Sequence, residues 1–129
     1  MTVRLYNYRA SVLRVVDGDT VDVLVDQGFH SFRRLRLRLQ WIDAPEKRGE
    51  QKSRGTAAAE HLEELIEQYA VTRDACGRPV IYVTTEKDRQ GKYGRWLATL
   101  YGVNQRGDLI DLNVRMHADG FADWWDEED

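Results

Sequence analysis

From Arg34 to Trp41 the chain alternates without interruption: Arg34, Arg36, Arg38 and Gln40 are separated by Leu35, Leu37, Leu39 and Trp41. Successive side chains of a strand point to opposite faces, so this period of two predicts a half-buried strand with leucines inward and arginines outward. A helix would scatter the same residues around its axis. The region before it also reads as sheet. Val12, Val16, Val21, Val23 and Val25 lie in β-rich segments, broken by the turn signal Asp17-Gly18-Asp19 and by a second reversal at Gln27-Gly28. Three linked strands from about residue 10 to 42 form a meander.

Pro45 and the polar run at 46–55 end the strand pattern and read as a mobile loop. Thr56 is the expected N-cap of a helix whose apolar face carries Ala58, Leu62, Leu65, Ile66 and Tyr69. A turn at 74–79 leads to a fourth strand at 80–85, a charged loop at 86–93 and a fifth strand at 96–101. A loop at 102–108 precedes a short helix at 109–118. Gly120-Phe121-Ala122-Asp123-Trp124-Trp125 then supplies anchoring aromatics ahead of an acidic tail, 126–129. The expected fold class is α+β: a five-stranded OB-like β-barrel with two or three packed helices. No repeat or long linker interrupts it, so one domain over 1–129 is expected, with its core at about 10–125.

Composition narrows the setting. One cysteine among 129 residues excludes an internal disulfide framework, and Cys76 sits in a turn beside Gly77 with no catalytic signature around it. The start, MTVRLYNY, is unlike a secretion signal, and no apolar run approaches membrane-spanning length. A cytoplasmic monomer with no membrane partner is the expectation. The formal net charge of −3 conceals a gradient: residues 1–60 carry 11 Lys and Arg against 8 Asp and Glu, residues 61–129 carry 8 against 14. For a phosphate-bearing partner the local field counts for more than this total. His30, His61 and His117 lack metal-ligand spacing, and His61 reads as a boundary residue of the helix.

Three fragments carry chemistry: Asp17-Gly18-Asp19-Thr20, the run from Arg38 to Glu46 (RLQWIDAPE), and Lys92-Tyr93-Gly94-Arg95. Asp19 stands where a turn hands over to a strand and Asp43 where the Arg-Leu strand ends. If those strands pair, the two carboxylates can converge, and hard oxygen ligands of this kind suit Ca²⁺. Read alone, Asp17 and Asp19 are equally ordinary turn residues, and Glu46 beside Lys47 and Arg48 is an ordinary solvated charge.

In order and spacing the three fragments resemble the staphylococcal (thermo)nuclease family over roughly Val12 to Trp125. The resemblance implies that Asp19 and Asp43 bind Ca²⁺ through their carboxylates and Ala44 through its carbonyl, alanine replacing the threonine of the staphylococcal enzyme. It implies that Glu46 activates or orders the attacking water, and that Arg38 and Arg95 bind phosphate and neutralise charge in the transition state. Planar guanidinium forks match phosphorane oxygens better than a lysine point charge does. Lys92 and Tyr93 resemble residues lining the nucleotide pocket, with a plain polar loop as the other reading. Lys47, Arg48, Lys52 and Arg54 fit a track for a polyanion backbone. Where the family has tyrosines near its C-terminus this chain has Trp124 and Trp125, for which base stacking and core anchoring both stand.

The implied activity is Ca²⁺-dependent hydrolysis of DNA and RNA with low sequence specificity, favouring single-stranded or frayed substrate and leaving 3'-phosphate ends. The alternative is a catalytically inactive OB-like module that binds nucleic acid. Such a module would be expected to lack one or more of Asp19, Arg38, Asp43, Glu46 and Arg95, all of which are present.

Overall fold

In chain order the strands are β1 (Asn7–Asp17), β2 (Thr20–Asp26), β3 (Phe32–Leu39), β4 (Ile42–Asp43), β5 (Thr72–Arg73), β6 (Pro79–Gln90), β7 (Trp96–Val103), β8 (Leu109–Asp111) and β9 (Asp123–Trp124). Helix α1 (Lys52–Tyr69) follows β4, and α2 (Leu112–Ala118) follows β8. The computed structural model describes residues 6–90 and 95–125, the side chains of 86–90 excepted. Lys92, Tyr93 and the tail at 126–129 lie outside the described residues.

The predicted meander is present. β1 pairs with β2 and β2 with β3, with Val21 opposite Leu37 and Val23 opposite Leu35. β6 returns beside β1, and β7 pairs antiparallel with β6 and parallel with β3 through Leu37↔Trp96 and Leu39↔Ala98. That parallel contact closes β1-β2-β3-β7-β6 into an OB-like barrel, with β5 and β8 added at its edges. Leu37 and Leu39 are fully buried among Val21, Val23, Ile81 and Leu100. From outside the barrel, α1 contributes Ala58, Leu62, Leu65 and Ile66 to the same core, and α2 contributes Leu112 and Met116. Each such leucine, isoleucine or methionine side chain contributes about 1.5–3 kcal/mol when taken out of water. Buried Asn113 ties α2 to the sheet: its Nδ2 donates to the carbonyls of Gln40 and Ala98, and its Oδ1 accepts from the Leu100 amide. No helix among the described residues is long and apolar enough to cross a membrane.

Three boundaries differ from the sequence expectation. Helix α1 starts at Lys52 after a 3-10 turn at Gly49–Gln51, so 46–55 is not a loop throughout and Thr56 lies inside the helix. Gln51 is the N-cap and makes no side-chain capping bond. The first turn of α1 is polar and buries only Gly55, leaving no apolar period to read. β6 continues through 86–90, expected as loop, because Gln90 still pairs with Trp96 through the backbone. Backbone pairing needs no apolar alternation. Finally, 109–111 is strand rather than helix. Leu109 is in helical phase with Leu112 and Met116, but Asp111 caps α2 by accepting from the Val114 amide at 3.0 Å.

Two glycines allow elements to touch. A Cβ on Gly18 would lie 2.7 Å from the Ala58 Cβ of α1 and 2.9 Å from the Ala44 Cβ, so the β1–β2 turn nests between them. A Cβ on Gly55 would overlap the Glu46 carbonyl and come within 2.7 Å of the Lys47 nitrogen. The chain bearing Glu46 therefore lies directly on α1. Gly55→Ala is expected to lower stability by about 1–3 kcal/mol, the range for overpacking a rigid contact. An unchanged urea midpoint would contradict the close approach.

On the outer face of the meander Asp22 stands opposite Arg36 and accepts from its Nε at 2.8 Å. That hydrogen bond, with charge attraction from the arginines around it, holds the Asp22 carboxyl below its ordinary value. A lowered folded-state pKa means stability that is present above about pH 4 and lost as pH falls through the folded value. Arg36 is half exposed, so the effect is small. Asp22→Asn should cost under about 1 kcal/mol at neutral pH, and the difference from wild type should vanish on acid titration of the thermal midpoint.

Candidate active site

The three motif fragments meet at the end of β3. Asp19 enters from the β1–β2 turn, Arg38 from the outward face of β3, and Asp43 from β4 just past a sharp corner. Trp41 forms that corner with φ of 76°, a left-handed conformation that costs a bulky residue on the order of 1–3 kcal/mol. The corner brings the Ile42 carbonyl back to Arg38, whose Nη1 donates to it at 2.7 Å and to the Leu39 carbonyl at 2.8 Å. With Nη1 so fixed, Nη2 donates to Asp43 Oδ1 and stands 3.5 Å from Asp19 Oδ2. The Arg38 side chain is only 12% exposed, as is that of Asp19 at 11%.

A carboxylate that far from water needs donors. Asp19 Oδ1 accepts from the Thr20 hydroxyl at 3.0 Å and Oδ2 from the Ala44 amide at 2.8 Å. The second bond holds the Asp43-Ala44 segment against the β1–β2 turn, the approach that Gly18 permits. Arg95, on the residue before β7, places Nη1 3.5 Å from the same Thr20 hydroxyl. Asp19, Thr20, Arg38, Asp43 and Arg95 are thus one connected network.

Among the described residues no three His, Cys, Asp or Glu side chains gather as a metal cage. Two carboxylates do converge on one cationic atom, Arg38 Nη2. The side-chain donors are all oxygen, which fits Ca²⁺ or Mg²⁺ and not a thiolate- or imidazole-seeking metal.

Other expected residues stand apart from this network. Glu46 is 65% exposed and accepts from Arg48 Nε at 3.2 Å. Trp124 lies on β9, which pairs with β4 through Asp43↔Asp123 and Ile42↔Trp124. It is 49% exposed and stacks at a tilt on His117, ring centroids 4.1 Å apart. Neither terminal tryptophan joins the core, so core anchoring is replaced by Phe121 and Ala122. A cleft of about 410 Å³ opens beside the network, between Asp43, Ala44 and Pro45 on one side and Arg54 and Asp123 on others.

The parts played by two residues escaped sequence reading. Thr20 is buried between Asp19 and Arg95, a position signalled only by its place in the Asp-Gly-Asp-Thr fragment. Trp125 covers Arg38, its ring centroid 5.7 Å from the guanidinium carbon. No local pattern connects residues so distant in sequence.

The sequence model described as "Staphylococcal nuclease homologue" matches residues 36–128. A protein of Shigella flexneri named "Micrococcal nuclease" is 32% identical over 120 residues, 90% of this chain and 58% of that protein. "Protein ParB" of Escherichia coli is 38% identical over 93 residues, 72% of this chain and 41% of its own length. The chain therefore spans less than two thirds of either relative.

The Thr20 link has a simple check. Thr20→Val keeps the side-chain shape and removes the hydroxyl, leaving Asp19 Oδ1 without that donor. The expected loss is about 1–3 kcal/mol in urea unfolding. A midpoint equal to wild type would show that the hydroxyl does not support Asp19.

Proposed function

The chain belongs to the staphylococcal nuclease homologue family, and from that premise we propose that it hydrolyses phosphodiester bonds of DNA and RNA with little base discrimination in the presence of Ca²⁺. The observation that carries this reading is the convergence of Asp19, Arg38 and Asp43, with Arg95 joined through Thr20.

Asp19 and Asp43, with the Ala44 carbonyl, are the residues that would hold the ion. Ca²⁺, when bound, supplies positive charge to phosphate oxygens and acidifies a nearby water. Arg38 and Arg95 bind the scissile phosphate and neutralise the negative charge that grows on it as phosphorus accepts a fifth oxygen. Donors fixed before reaction serve this role best, since they need not reorganise as the charge develops. Glu46, set on α1 by Gly55 and restrained by Pro45, turns from Arg48 to order the attacking water or take its proton. The 5'-oxygen leaves and the phosphate stays on the 3' side.

Substrate contacts extend from this centre. By the family resemblance, Lys92 is the residue expected to meet a terminal phosphate and Tyr93 to pack or hydrogen-bond near it. Trp124 has a half-exposed ring available for stacking a base, a contact that tolerates any base. Single-stranded or frayed nucleic acid is preferred because a site built around one nucleotide needs that base unstacked.

Cleavage of single-stranded DNA, duplex DNA and RNA in Ca²⁺, Mg²⁺ or EDTA tests the proposal. Activity should require Ca²⁺ and be highest on single strands. Glu46→Gln should lower kcat by about 10²–10⁴-fold with a smaller effect on KM. Arg38→Lys should also be slow, because an ammonium cannot make the forked contact. Undiminished cleavage in EDTA would remove the cation from the mechanism, and equal rates for wild type and Glu46→Gln would remove Glu46. No cleavage under any condition would leave binding without chemistry.

A further inference from the structure

An arginine side chain has about 2 kcal/mol of rotamer entropy and can present its guanidinium in many poses. In this structure the Arg38 guanidinium is met by groups far apart in the sequence, from residues 39–43 and from Trp125. At the Nη1 edge of the guanidinium the chain turns at Trp41, and the carbonyls of Leu39 and Ile42 accept from Nη1. The guanidinium carbon stands over the ring of Trp125, within the range at which an aromatic face attracts a cation.

Trp125 is itself pinned. Its indole Nε1 donates to the Ile42 carbonyl at 2.8 Å, the oxygen that also accepts from Arg38. Its backbone amide donates to the Trp41 carbonyl at 2.9 Å, and the two indole rings meet at 5.5 Å and 51°. One carbonyl therefore uses its two lone pairs to hold the guanidinium and the ring that covers it. Pairing of β9 with β4 brings Trp125 to this place and sets Asp123 opposite Asp43.

We propose that Trp125 is a positioning residue for Arg38: by covering the guanidinium and sharing the Ile42 carbonyl, it fixes Nη2 as the nitrogen that faces Asp19, Asp43 and the substrate phosphate. Its effect on turnover rests on the nuclease reading above, whereas its effect on the pose of Arg38 does not. The role differs from base stacking, since the ring acts on a protein guanidinium rather than on a base. It also gives the left-handed backbone at Trp41 a purpose. That corner presents two consecutive carbonyls, of Trp41 and Ile42, to one tryptophan.

The test compares Trp125→Ala and Trp125→Phe with wild type. Trp125→Phe keeps an aromatic ring over Arg38 and loses the Nε1 bond, so it preserves a folded comparison. The first readout is the arginine side-chain ¹⁵N–¹H spectrum, with the Arg38 signals assigned by their loss in Arg38→Lys. Wild type should show separate, slowly exchanging Nη signals for Arg38. Trp125→Phe should partly average them and Trp125→Ala should collapse them. The second readout is single-turnover cleavage of a short DNA single strand. Trp125→Ala should slow it about ten- to a hundredfold, the scale expected when a reacting group is misplaced by an ångström, with little change in KM. In an Arg38→Ala background the same substitution should cost less than about twofold, since coupled residues are not additive. Arg38 signals unchanged in Trp125→Ala would overturn the proposal, as would an equal cost of Trp125 loss with and without Arg38. If wild type fails to cleave, the nuclease reading falls while the spectrum still decides the positioning role.

Discussion

A guanidinium shielded from most water has to be met by acceptors around its edge, and Arg38 is met by two carbonyls at Nη1 and two carboxylates at Nη2. Its charge in turn makes it tolerable for Asp19 and Asp43 to stand so close together. Much of the local architecture follows from that requirement. β3 must end where it does so that Arg38 faces outward beside Asp19, and the chain must turn at Trp41 to return the Ile42 carbonyl. Gly18 has to lack a side chain for the turn bearing Asp19 to settle between Ala44 and Ala58. The same arrangement explains how an acidic pair can persist at close range. Arg38 Nη2 stands between the two carboxylates in the structure.

The site is drawn from both halves of a chain whose charge is unevenly divided. Asp19, Arg38, Asp43 and Glu46 come from the weakly basic first half, and Arg95 and Trp125 from the acidic second half. Closure of the barrel joins them: the parallel pairing of β3 with β7 sets Arg38 opposite Leu97, two residues beyond Arg95. A net charge of −3 says little about the partner of such a surface. The field at the network is set by two arginines and two carboxylates within a few ångströms.

The barrel was legible because its strands obey one simple rule. Leucines on alternate positions have to face a common core, so Leu37 and Leu39 declared both strand and face, while Val21 and Val23 declared strand alone. Asp19, Arg38, Asp43 and Ala44, singled out from motif order, do come together, and Arg95 reaches them through Thr20. What could not be read has a common cause: it depends on contacts rather than on local pattern. Gly55 weakens the helical signal of α1 because another backbone segment occupies the place of its Cβ. Leu109 sits in phase with a helix whose true start is decided by the Asp111 cap. Trp125 is one of four tryptophans in the sequence, and only pairing of β9 with β4 shows that it covers Arg38.

In the proposed reaction this network breaks a P–O bond of nucleic acid with water as the nucleophile. Its most direct measurement is mass spectrometry of the fragments of one DNA single strand incubated with the protein and Ca²⁺ in ¹⁸O-water. The account expects one ¹⁸O in a new 3'-phosphate and an unlabelled 5'-hydroxyl on the adjoining fragment. A labelled 5'-phosphate, or an intact strand after prolonged incubation, would contradict it.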